Sequence, residues 1–185
     1  MSALANQEVG DYLNDHFVST VLKVGTFTLV NGNKQGGNVV SYFCTADGGV
    51  VHAIVGPVDA DTLLREARWV TEVRKLAMFE SRGNFDNYRE FIRRAHAERL
   101  SAEFGISVQE PHRPNYQPGY RAGSPADPFQ KLSPRSRGWN SGSANQAKIH
   151  QLLVANPLIK VEQVYRYVFE KIAGERVSTL PVAER

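Results

Sequence analysis

Apolar positions along the chain fall into blocks, and a change in their period marks each new element. Leu4, Val9, Tyr12, Leu13 and Phe17 form an imperfect helical stripe over residues 4–16, weakened by Gly10. The next segment, Phe17-Val-Ser-Thr-Val-Leu-Lys-Val24, is rich in β-branched residues and predicts a strand. Residues 25–37 admit two readings, a short strand Thr26–Val30 turning at Asn31-Gly32, or an irregular crossover. The nearly continuous apolar run from Val39 to Cys44 predicts a strand buried on both faces. Ala46-Asp47-Gly48-Gly49 supplies residues that tolerate positive φ, so it predicts a hairpin turn, with Val50–Val55 as the return strand and Gly56-Pro57 as its stop.

The period then becomes helical. Asp59, or Asp61, is the expected N-cap of a helix in which Leu63, Leu64, Ala67, Val70, Val73, Leu76 and Ala77 recur at three- and four-residue spacing to about Glu80. Arg82-Gly83-Asn84 breaks it. A long second helix is predicted from about Phe85 to Phe104, with Tyr88, Phe91, Ile92, Ala95 and Leu100 on one face and Arg89, Arg93, Arg94, Glu98 and Arg99 on the other. Residues 107–143 hold six prolines and few aliphatic side chains, which predicts a disordered linker. Residues 144–175 predict a helical hairpin. Its first helix carries Ile149, Leu152, Leu153 and Val154 and ends at Asn156-Pro157; its second carries Val161, Val164, Tyr165, Val168, Phe169 and Ile172 and ends at Gly174. So small a hairpin cannot be stable alone, and it is expected to dock on the front domain, a second copy or another protein.

Composition narrows the function classes. The chain is 42% apolar, enough for a core, and carries a net charge of +3. Residues 1–106 hold 11 basic and 13 acidic groups, so the basic excess belongs to the linker and the tail. One cysteine excludes an internal disulfide. No apolar run approaches the roughly 20 residues that cross a bilayer, and the first residues lack the basic and apolar regions of a signal peptide. The expectation is a cytoplasmic protein without membrane contact.

The segments Tyr12-Leu-Asn-Asp-His-Phe-Val18 and Val40-Ser-Tyr-Phe-Cys-Thr-Ala-Asp-Gly-Gly-Val-Val-His-Ala-Ile-Val-Gly56, placed before an amphipathic helix, resemble the later part of the thioredoxin fold. The resemblance covers roughly residues 4–80. It implies an α/β fold with a partial, mixed thioredoxin-like sheet, in which Val40–Cys44 is a central strand and Val50–Val55 an edge strand. The layout expected from the resemblance is a thioredoxin-like domain with a helical extension (1–106), a basic Pro/Gly/Ser-rich linker (107–143) and the helical hairpin (144–175). Redox members of that family use a Cys-x-x-Cys pair at a helix start, and they place a cis-proline just before the central strand. This chain has no such pair. The expected position falls before residue 1, and Asn38-Val39 stands where the proline would be.

These departures favour a module without dithiol catalysis, acting in binding or assembly with a protein partner or a second copy. The expected contact residues are Leu152, Leu153, Tyr165, Val168 and Phe169 of the hairpin and Arg89 and Arg93 of the long helix. Two alternatives stay open. One is a thiol-dependent oxidoreductase or redox sensor acting through Cys44, with His52 on the paired strand as its neighbouring cation. The other is weak association with nucleic acid through Arg89, Arg93, Arg94 and Arg99 and the basic, aromatic linker; Glu90, Glu98 and Glu103 on the same helix argue against it. His52 is expected as a satisfied histidine in an apolar strand. His16, His96, His112 and His150 are scattered at no metal-ligand spacing, so neither a metal site nor a cofactor is expected.

Overall fold

The computed structural model describes residues 3–24, 28–30, 33–35, 38–108, 141–177 and 183–184. The fold is mixed α/β. After a short 3-10 turn, α1 spans Gln7–His16. The strands β1 (Thr28–Val30) and β2 (Asn33–Gln35) pair antiparallel, and β1 also pairs parallel with β5 (Ala183–Glu184). A separate antiparallel hairpin joins β3 (Val40–Cys44) to β4 (Val50–Val55). The helices α2 (Ala60–Ser81), α3 (Phe85–Phe104), α4 (Ser141–Ala155) and α5 (Val161–Tyr167) follow, and α5 continues as a π-helical turn over Val168–Ile172.

The caps explain two helix starts. Asp59 accepts a hydrogen bond from the Thr62 amide at 2.8 Å and opens α2. Arg82 and Gly83, both left-handed, end α2 and turn the chain. Asn84 then caps α3 by accepting from the Asn87 amide at 3.0 Å.

Two expectations about strands change. Residues 17–24 form no strand: Val18, Val21 and Leu22 stand exposed, because β-branched residues need a neighbouring ladder and none meets them here. The burial of the hairpin is also the reverse of the expected one. Only Phe43 of β3 is buried, whereas every residue of β4 is. β4 is covered on both faces. On one side Val51 and Ile54 join Leu63, Leu64, Ala67, Val70 and Val73 of α2, Ile92 of α3 and Val9 of α1. On the other, Val50, Ala53 and Val55 pack on Ile149, Leu152 and Leu153 of α4 and Val164, Tyr167 and Val168 of α5 and its extension.

A β-bulge sets this division. Phe43 pairs with His52 and Cys44 with Val50, so Val51 has no partner on β3. The bulge turns both Val51 and His52 toward α2 and α3, and restores Val50, Ala53 and Val55 to one common face.

The C-terminal helices therefore dock on their own chain. The α4–α5 connection adds a latch on the hairpin turn. Gly49 bridges Lys160, the Val50 amide donates to the Ile159 carbonyl at 2.8 Å, and Lys160 Nζ reaches Asp47 Oδ2 at 2.6 Å. Residues 109–140 of the expected linker lie outside the described residues.

A Cβ at position 49 would lie 2.8 Å from Thr45 Oγ1 and 3.2 Å from the Leu158 carbonyl oxygen. Gly49→Ala is expected to destabilise the fold by about 1–3 kcal/mol, read as a lower urea midpoint at unchanged slope. An unchanged midpoint would show that the latch is not closed in solution.

Candidate functional site: a buried histidine cluster

Three histidines from three elements share one buried pocket where β4, α3 and α4 meet. His52, His96 and His150 are each 0% exposed. Their ring centroids lie 5.0–5.7 Å apart. The indole of Trp69 on α2 closes one wall, with ring centroids 5.0 Å from His52 and 5.2 Å from His96, and the Arg99 guanidinium covers that indole at 4.7 Å. Phe104 lies against His150.

The hydrogen-bond network fixes the protons. His96 Nε2 lies 2.8 Å from the carbonyl of Val51, the unpaired residue of the bulge. A carbonyl only accepts, so Nε2 carries the hydrogen, and in the neutral ring Nδ1 is left as an acceptor. That nitrogen sits 2.8 Å from His150 Nδ1, which donates to it. His150 Nε2 then holds a bare lone pair, buried without a hydrogen-bond partner. His52 Nε2 lies 3.2 Å from Glu66 Oε2 and 3.1 Å from Gln146 Nε2. The ionised carboxylate decides: His52 Nε2–H donates to Glu66, and the Gln146 amide donates to the Ala53 carbonyl at 3.1 Å. His52 Nδ1 is thus a second bare, buried lone pair.

Charge around the pocket is ordered. Burial pushes the Glu66 pKa up, but hydrogen bonds from His52 and Arg99 outweigh it and hold the carboxyl at about 2. Arg99 is its counter-charge, with Nη1 and Nη2 at 2.6 and 2.7 Å from the two carboxylate oxygens; Arg99 also reaches Glu103 at 2.6 Å. The three imidazoles are kept neutral. Burial is the main cause for each: His96 falls to about 3, and His52 and His150 fall well below the ordinary histidine range, with the mutual proximity of the rings adding to the effect for His96 and His150.

The structure corrects the expectation of scattered histidines. Spacing motifs see neighbours in sequence, whereas His96 and His150 are 54 residues apart. One local signal was present. His96 falls on the helical row Ile92–His96–Leu100, and Glu66 falls between Leu63 and Val70, so each is a polar residue on an apolar face. Trp69, Arg99 and Gln146 carried no such signal.

The other candidate residues lie apart from this cluster. Cys44 faces the α4–α5 side, while His52 faces α2, so the pair does not form. Burial, and then the Glu162 charge, push the Cys44 thiol up. Leu152, Leu153, Val168 and Phe169 are buried and Tyr165 is half-buried, so α4, α5 and the π-helical turn spend their apolar surface inside. Arg89 is exposed; Arg93 pairs with Glu90, and Arg94 stacks on Phe91. The basic linker residues fall outside the described residues.

Two solution tests follow from this geometry. Unfolded histidines bind protons below about pH 6.5, whereas the folded cluster does not until near pH 3 for His96. Stability of the metal-free protein is therefore fully present above pH 6.5 and is lost as pH falls. The slope is up to about 1.4 kcal/mol per pH unit for each imidazole. Urea midpoints measured from pH 7.5 to 4.5 should be flat, then decline; a midpoint unchanged at pH 5 would contradict the buried cluster. Cys44 should react with a thiol reagent slowly in native protein and fast in denaturant, and a fast native reaction would contradict its placement. No helix among the described residues is long and apolar enough to cross a membrane. No protein-family model, no curated protein and no solved structure matches the chain, and the reading of this site rests on its geometry.

Proposed function

We propose that the protein is a thioredoxin-like module without dithiol catalysis that acts by binding and assembly, with a second copy of itself as the partner. A hairpin followed by the capped helix α2 supports the thioredoxin-like reading, and the protonated, half-buried Cys44 supports a role other than thiol chemistry.

The observation that carries the assembly reading is the elbow between α2 and α3. Met78, Phe79 and Phe85 are 63%, 78% and 63% exposed there, beside half-exposed Leu76. Large apolar side chains concentrated at one surface feature mark an interaction site more than singly scattered ones do. The exposed rim carries both signs, Lys75 and Arg82 with Glu80 and Asp86. A patch with both signs at its edge can face its own copy about a two-fold axis, each base meeting the other copy's acid. The contact surface thus moves from the hairpin, whose apolar residues are interior, to the start of the long helix.

Sedimentation equilibrium of the full chain should give a concentration-dependent approach to twice the chain mass. Phe79→Glu with Phe85→Glu should shift the dissociation constant by at least tenfold toward monomer without changing the far-ultraviolet spectrum. A wild-type chain that stays monomeric at all concentrations would overturn the reading.

A further inference from the structure

We infer that His52, His96 and His150 are the ligands of a buried site for a divalent transition metal of the zinc class, which clamps α4 to β4 and α3. One ring nitrogen from each of the three lies within 4.8 Å of the other two. Zinc–nitrogen bonds of about 2.0–2.1 Å place tetrahedral ligands roughly 3.3 Å apart, so loading contracts the cluster by side-chain rotation.

The surroundings have the form of a metal centre. Ligating histidines donate their other N–H to a carboxylate or a backbone carbonyl, which fixes the ring and aims the free nitrogen. His52 does this toward Glu66 and His96 does it toward Val51. The bulge contributes here, because it supplies the carbonyl that orients His96. Two bare lone pairs, His52 Nδ1 and His150 Nε2, are buried with no hydrogen-bond partner. A buried polar atom without a partner is costly, and a cation satisfies both at once. His96 Nδ1 is occupied by the His150 N–H, and it becomes a ligand when that bond opens. His150 enters as a neutral ring, through its bare Nε2, or through Nδ1 after its proton moves to Nε2. No proton leaves the protein in either case.

Chemistry selects the metal. Three imidazoles suit zinc, copper, nickel or cobalt and not calcium or magnesium, which require oxygen ligands. The charged groups around the cluster balance, Glu66 and Glu103 against Arg99 and Arg65, the last 3.4 Å from Glu66. Three histidines leave the fourth tetrahedral position to a small ligand such as water; full burial closes it to a larger substrate, so the metal would act as a staple between elements. Its entry requires α4 to lift away. Loading therefore stabilises the docked C-terminal helices, whatever the association of copies through the elbow.

The test uses the full chain stripped with a chelator. Titrated Co2+ should bind at one equivalent per chain with visible ligand-field bands. Zn2+ should displace it, and should raise the melting temperature by roughly 5 °C or more at a hundredfold excess over its dissociation constant. His150→Phe should lose the bands and the shift, whereas His16→Ala with His112→Ala should keep both. Absent bands in the wild type, bands that survive in folded His150→Phe, or bands lost in the His16/His112 variant would each overturn the proposal. If His150→Phe does not fold, X-ray absorption of the zinc-loaded wild type decides: scattering from three imidazoles supports the site, and fewer than three overturns it.

Discussion

Three uncharged imidazoles packed in one buried pocket are the constraint on which the rest of the architecture depends. Each comes from a different element: His52 from β4, His96 from α3, His150 from α4. Burying a polar ring is costly where its nitrogens go unmatched, and four of these six nitrogens are matched. Matching them dictates local structure around the pocket. The bulge at Val51 presents a carbonyl to His96, and Glu66 sits inside the apolar stripe of α2 to receive His52. Glu66 in turn requires Arg99, which lies over Trp69 and seals the pocket. A change at any of these positions leaves another polar group buried and unmatched.

The same pocket joins the two halves of the core. Separate apolar clusters cover the two faces of β4, one with α1 and α2 and the other with α4 and α5, and α3 also packs directly on α4. His96 bonds His150 across that α3–α4 contact. That arrangement makes the C-terminal helices part of the domain and removes their apolar residues from the surface. It also leaves Cys44 on the α4–α5 side of the hairpin, apart from His52, with a thiol that burial keeps protonated. Exposed apolar side chains lie elsewhere: Val18, Val21 and Leu22 after α1, and Met78, Phe79 and Phe85 at the turn between α2 and α3.

Much of the fold was legible in the residues because it is local. The hairpin turn at Asp47-Gly48, the Asp59 cap, the Arg82-Gly83-Asn84 break and the extents of α2 and α3 follow from short-range rules, and each is observed. What failed was long-range. Residues 17–24 have strand propensity but no partner strand, and propensity does not form a ladder alone. β3 and β4 are equally apolar in sequence; which of them is covered on both faces depended on where α4 docks. The histidine cluster was hidden for the same reason, since its members meet only after α3 and α4 have packed. The trace it left was polar residues at core spacing, Glu66 and His96, and such trespassers mark a buried network before any motif does.

The most direct measurement is a long-range proton–nitrogen correlation spectrum of the histidine side chains in metal-free protein, recorded from pH 7.5 to pH 6. The account predicts one fixed tautomer for His96, protonated at Nε2, the opposite tautomer for His150, protonated at Nδ1, and a nitrogen–nitrogen coupling across the bond between them. Neither ring should take up a proton in that range. Rings that average between tautomers, or that titrate like a free imidazole, would contradict the buried cluster and the docking of α4 that depends on it.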